Sequence, residues 1–229
     1  MRGPAQDLST RILRKMWRTE PQRVWTQADF SKLGSRDAID KALQRLTTAG
    51  QIRRIDRGLY DQNRIHPVTR KSVPADYRQV IEAIARRDQT RMLVDGMTAA
   101  NDLGLSDAVP GRVIVHSDAR LKPLNLGNLT ITFRPTSASK LYWAGRPAMR
   151  LVQALYWLKP KLEDSGERAR IAKRVKHQLC ALRTGATLRK DLLKGLPSLP
   201  AWMQDFLRPL LRPEARPEPS RQGRDTPAT

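Results

Sequence analysis

A single cysteine, Cys180, occurs in the 229 residues. One thiol closes no internal disulfide and builds no cysteine metal cluster, which suits a reducing compartment. Histidine is also scarce. His66, His116 and His177 lie far apart and share no ligand spacing. HExxH, paired CxxC, GxxxxGKS/T and GxSxG patterns are all missing. Gly96, Gly104, Gly111 and Gly127 are too dispersed to cradle a phosphate. His116-Ser117-Asp118 looks like a catalytic fragment. However, neighbours at a strand end point to alternate faces and no second base is evident, so it reads as a strand terminus with capping Ser and Asp. No catalytic residue, metal or cofactor is expected, and the chain is not read as an enzyme. No run approaches the ~18 apolar residues of a membrane span. MRGPAQDLST lacks the apolar core of a signal peptide. A cytoplasmic, nucleoid-associated protein with no membrane partner is expected.

Acidic side chains are also few: 22 Asp+Glu face 43 Lys+Arg, a net charge of +21. The excess is spread along the chain, +6 over residues 1–62, +8 over 63–160 and +7 over 161–229. Charge of this size and spread suits a polyanionic partner, most often nucleic acid; the plainer reading is an arginine-rich composition overall. With 39% hydrophobic residues a core can form.

What is present has clear local order. Leu8, Ile12, Leu13, Met16 and Trp17 recur at helical spacing among Arg11, Arg14, Lys15 and Arg18. Val24-Trp25 reads as a short extended piece. Thr26 is an N-cap with Asp29 three residues on, a short-armed capping box, before a brief helix through Ala28, Phe30 and Leu33 closed by Gly34. Ser35 caps the next helix, SRDAIDKALQRLTTAG. Its buried stripe is Ala38, Ile39, Ala42, Leu43 and Leu46, and Gly50 ends it. GQIRRIDRGLYD follows, a hairpin with its turn at Asp56-Arg57-Gly58 and three arginines in five positions. Two helices across a tight Gly turn, then a hairpin, spell a winged helix-turn-helix.

A helix in a major groove needs donors and acceptors on the face away from its own domain. Ser35, Arg36, Asp37, Asp40, Lys41, Gln44 and Arg45 meet that need by type and spacing. Arg36 suits guanine and Gln44 suits adenine. Arg53, Arg54 and Arg57 of the wing suit phosphates or the minor-groove edge. Tyr60 is expected to pack under the wing.

The fold class expected is α+β: a winged helix-turn-helix DNA-binding domain over 1–62, a linker over 63–75, a larger mixed domain over 76–211 ending in helices, and a disordered tail over 212–229. Within the second domain ADYRQVIEAIARRD and AMRLVQALYWLK read as helices, and RMLV, RVIVHSD and LTITFRPT as strands. A helix is expected around 98–103. A long basic helix near 166–183 has the stripe Ile171, Val175, Leu179 and Leu182. Arg168, Lys173, Arg174, Lys176 and Arg183 form its basic surface. Two shorter helices near 187–194 and 201–211 complete the domain.

FSKLGSRDAIDKALQRLTTAGQIRRIDRGLYD resembles the N-terminal module of AbiEi-type antitoxins. MTAANDLGLSDAVPGRVIVHSD and AGRPAMRLVQALYWL resemble later stretches of the same family, so the likeness covers about residues 8–160. One departure is Asp95-Gly96, where that family favours a small Ser-Gly. The resemblance implies a type IV antitoxin encoded beside a nucleotidyltransferase-like toxin. Such a protein binds inverted repeats in its own promoter as double-stranded DNA, represses it, and counteracts the toxin without a stable complex, its second domain helping both tasks. A monomer that pairs on DNA is expected. The alternatives are a stand-alone transcription regulator, or an RNA-binding protein acting through the basic C-terminal domain.

Overall fold

A computed structural model describes residues 7–19, 22–107 and 111–212. The expected tail falls almost wholly outside them. The fold is α+β, and the chain divides into two compact units, 1–163 and 164–229.

The first unit begins with α1 (Leu8–Trp17), a 3-10 helix (Gln27–Leu33) and α2 (Arg36–Thr48). A hairpin of β1 (Arg53–Asp56) and β2 (Leu59–Asp61) follows. Trp25 bridges Tyr60 as a third, one-residue strand, through paired backbone bonds of 2.7 and 2.9 Å. This is a winged helix-turn-helix whose middle helix is a tight 3-10 turn. Asp29 supplies the capping box: its carboxylate accepts from Thr26 N at 2.7 Å and Thr26 Oγ1 at 3.0 Å. Gly34 closes the turn in extended backbone, φ 174°, not in the left-handed form expected of a closing glycine, because the chain runs straight into the Ser35 cap. Gly50 does adopt the left-handed form, φ 67°. Trp17 departs from the expected stripe. Ile12, Leu13 and Met16 are buried, whereas Trp17 ends the helix 64% exposed beside Arg14 and Arg18.

The body follows with α3 (Tyr77–Asp88), β3 (Met92–Val94), α4 (Gly96–Asp102), β4 (Arg112–Ser117), β5 (Leu124–Leu126), β6 (Leu129–Pro135) and α5 (Met149–Leu158). The sheet order is β3-β4-β6-β5, with β4 and β6 parallel and both outer pairs antiparallel. β5 has no counterpart among the expected strands; three residues beside Gly127 are too few to show alternation. Asp95 explains its own departure from the family pattern. Its carboxylate caps α4 through Met97 N (3.0 Å) and Thr98 N (3.2 Å), then crosses to Ile114 N of β4 (3.1 Å). Gly96 is required for close approach. A Cβ there would lie 2.5 Å from Trp157 Cβ and 2.6 Å from the Gln153 carbonyl of α5.

Head and body share their wall. Side chains alternate across a strand, so Trp25 and Tyr60 enter the core of α1 and α2, while Val24 and Leu59 enter the core of α3 and the sheet. The compact division therefore falls at 163/164, and the expected boundary at 62 runs through one packed unit. Residues 63–75, expected as a linker, fold into a small hairpin of their own. Ile65 bridges Ser72, His66 N donates to Lys71 O (2.8 Å), and Val73 N to Arg64 O (2.8 Å).

The second unit holds α6 (Ser165–Cys180), α7 (Gly185–Gly195) and α8 (Ala201–Leu211). Ile171, Val175 and Leu179 are buried as expected, but Leu182 is fully exposed. α6 stops at Cys180 because the chain turns to bring Gly185 onto Leu179, where a Cβ would meet the Leu179 carbonyl oxygen at 2.3 Å.

Candidate nucleic-acid interface

α2 buries Ile39, Ala42, Leu43 and Leu46 against the head core. The opposite face is open: Ser35, Arg36, Asp37, Lys41, Gln44 and Arg45 are all exposed. Ser35 caps the helix through its Oγ, which accepts from Ala38 N at 3.4 Å. Arg45 folds back on its own helix, its Nε donating to Lys41 O at 3.3 Å. Asp40 is set apart from this group. Its carboxylate accepts from the Gln27 side-chain amide of the preceding turn, a staple between the two helices.

The wing divides its arginines. Arg54 and Arg57 are exposed and form no ion pair among the described residues, Arg54 Nε donating only to the Asp56 carbonyl at 3.5 Å. Arg53 does not join them. It grips Asp61 through both Nε (2.9 Å) and Nη2 (2.5 Å), and its Nη1 donates to Ser72 Oγ (2.9 Å) and Val73 O (2.8 Å). Asp61 sits opposite Arg53 in the ladder and is nearly buried, which draws that guanidinium inward. Burial outweighs Arg53 and leaves the Asp61 carboxyl above the usual carboxylate range. Tyr60 packs beneath the wing as expected, and burial raises its hydroxyl pKa.

The sequence pattern did not single out the two arginines that fix the wing in place. Arg87 Nη1 of α3 donates to the Arg57 carbonyl at 2.6 Å, and Arg86 Nη2 to the Val24 carbonyl at 3.0 Å. Arg86 also lies 3.7 Å from Asp29. Burial alone would raise the Asp29 pKa. The two Thr26 hydrogen bonds, then Arg86 and Arg23, outweigh it and hold the carboxyl below its ordinary value. The only sequence signal for Arg86 and Arg87 is a basic pair in a helix's last turn, where it also complements the helix dipole. Between the start of α2, the wing and the 120–122 turn lies a cleft of about 820 Å³. Arg36, Arg54, Arg57, Arg87, Arg120 and Lys122 line it, with Asp40, Asp56 and Asp88.

The residues of the second basic set have different surroundings. Arg168 leans over the Phe206 ring, 5.4 Å from its centroid. Lys173 and Lys176 are exposed, Arg174 is half-buried, and Arg183 lies beyond the end of α6. His116-Ser117-Asp118 is held in structural bonds. Ser117 Oγ pairs with Thr90 Oγ1 (2.8 Å), and Asp118 accepts from Arg91 N (3.0 Å). Among the described residues, no three His, Cys, Asp or Glu side chains are grouped to hold a metal, and no helix is long and apolar enough to cross a membrane.

A family model matches residues 11–180, and the chain belongs to that family, a family of unknown function (DUF6088). No curated protein matches. One solved structure, the crystal structure of RV2827C protein from Mycobacterium tuberculosis, is similar at 18% identity with a TM-score of 0.42. The match covers 90% of this chain and 76% of that one.

Proposed function

We propose that this DUF6088 member is a sequence-specific DNA-binding autorepressor, the antitoxin half of a pair with a nucleotidyltransferase-like toxin. The observation that carries the DNA reading is the open face of α2 beside a wing whose exposed Arg54 and Arg57 form no ion pair among the described residues. A solvated cationic fork keeps its charge and offers planar donors to phosphate or guanine. In this reading α2 enters the major groove with Arg36 near its leading end. Lys41, Gln44 and Arg45 follow along the groove, and Arg54 and Arg57 rest on the flanking phosphates. The antitoxin role rests on the resemblance of residues 30–61, 97–118 and 144–158 to AbiEi-type antitoxins.

The test is a salt-titrated binding assay of the full chain on the DNA upstream of its own gene. Contact with ~5 phosphates gives a log-log slope near −4 to −5. A flat slope, or equal affinity for promoter and unrelated duplex at every salt concentration, would overturn the proposal. Induction of the neighbouring reading frame in cells with and without this protein tests the antitoxin role. Rescue of growth is expected, and its absence removes that half of the reading.

A further inference from the structure

The hairpin over residues 64–73 has a composition that its role in the fold does not explain. Between Asp61 and Asp76 the chain carries Arg64, Arg70 and Lys71 and no acidic residue. Its tip is exposed throughout, with Val68 at 82%. An apolar tip in water is unfavourable, and adjacent cations repel each other, yet the tip is held in order. His66 Nδ1 accepts from Val68 N (3.3 Å) and Thr69 N (3.2 Å), and Arg70 N donates to His66 O (2.9 Å). Arg70 sits in left-handed backbone, φ 55°, which a non-glycine residue rarely adopts. The hairpin is also fastened to the wing. The Arg53 guanidinium holds Asp61 of β2 on one side and Ser72 and Val73 on the other.

We infer that residues 64–73 form a second wing that enters the minor groove of the duplex beside the site read by α2. Arg70 and Lys71 lie on the phosphates, and the Pro67-Val68 tip points into the groove. The inference rests on the DNA-binding reading above and extends it to a segment that the sequence pattern left as a linker. Three features select this partner. The cations with no acid among them fit a polyanion. The short apolar tip between them matches the wedge-and-shoulder pattern of minor-groove contacts. The Arg53 bridge makes the hairpin continuous with the wing, so one duplex spans both. Two apolar tip residues are too small an anchor for a stable protein interface.

The test uses the full chain and the DNA upstream of its own gene. Arg70→Gly with Lys71→Gln removes both charges while suiting the left-handed backbone, so a loss is not one of folding. The expected result is a tenfold to hundredfold weaker affinity at low salt and a salt slope shallower by about 2, for specific and unrelated duplex alike. Hydroxyl-radical footprinting should lose a minor-groove patch flanking the α2 site. His66→Ala should reproduce part of the loss, and His66→Asn, which keeps an acceptor at the tip, should restore it. Unchanged affinity, slope and footprint in the double variant, with Arg36→Ala still relaxing base preference, would overturn the second wing and leave the first reading standing. No duplex binding by the unaltered protein would overturn both.

Discussion

The head and the sheet body carry positive charge in comparable excess, +6 over residues 1–62 and +8 over 63–160, and place much of it differently. In the helices and strands of the body several guanidinium groups meet carboxylates. Arg78 and Arg150 converge on Asp102 at 2.6 and 3.2 Å, Arg91 meets Asp118 at 3.2 Å, and Arg87 meets Asp88 at 2.8 Å. On the exposed face of α2 and on the wing, Arg36, Lys41, Arg54 and Arg57 form no ion pair among the described residues, although Asp40 and Asp56 share their cleft. Net charge treats the two regions alike. Pairing separates these two sets of cations, because one already neutralised by a carboxylate has little left to offer a phosphate, whereas a solvated one releases counterions when it meets one.

The comparison is broken most severely at Asp102. Its carboxylate is 2% exposed and also takes the Tyr77 hydroxyl. Burial and then that hydrogen bond push the Tyr77 hydroxyl far above its ordinary value. Asp102→Ala removes the acceptor shared by Arg150, the Tyr77 hydroxyl and Arg78, which keeps Asp76 at 3.8 Å, so unfolding in denaturant should show a loss of about 2–3 kcal/mol. Specific affinity per folded molecule should stay unchanged. A large loss of DNA affinity at constant stability would mean that body arginines act on DNA despite their partners.

Arg36→Ala is the mirror experiment. It should cost about 1–3 kcal/mol of binding, relax preference at one base pair, and leave stability within about 0.5 kcal/mol. The matching change at the wing, Arg57→Ala, should weaken all duplexes alike. If Arg57→Ala altered base preference with affinity intact, the division between reading helix and phosphate-holding wing would be reversed.

The smallest effect sharpens the comparison within the head, where Asp29 is a carboxylate that does meet arginine. Its folded-state pKa lies below the ordinary 3.8, so the group contributes stability above that pH and loses it as pH falls through the folded-state value. Asp29→Asn removes the charge at the helix start and should therefore cost about 0.3–1 kcal/mol at neutral pH. It should also flatten the acid limb of stability below about pH 4. An unchanged acid limb would mean that the capping hydrogen bonds act without the charge.

Much of this was legible in residues read one element at a time. Thr26 with Asp29, Ser35 before a stripe of Ile39, Ala42, Leu43 and Leu46, and Gly50 after it specify the helices of the head through local bonds and a period of 3.6. Leu182 was misjudged where a local rule met a tertiary demand: it lies in the turn that brings Gly185 onto Leu179. The linker over 63–75 was misjudged for a related reason. A hairpin held by His66, Arg53 and three backbone bonds has no periodicity, and its main tether, Arg53, is contributed from ten residues earlier.

The sequence by itself determined the charge, the α+β class and the order of helix, turn, helix and hairpin, since each depends on composition or on neighbours within a few positions. Only the tertiary structure decided which arginines remain free. Arg53 was assigned to DNA by its place in a basic run. It is held by Asp61 because antiparallel pairing sets the two opposite each other, one partner nearly buried. Cross-strand register and burial bring distant charges together, and no window of the chain records where they meet.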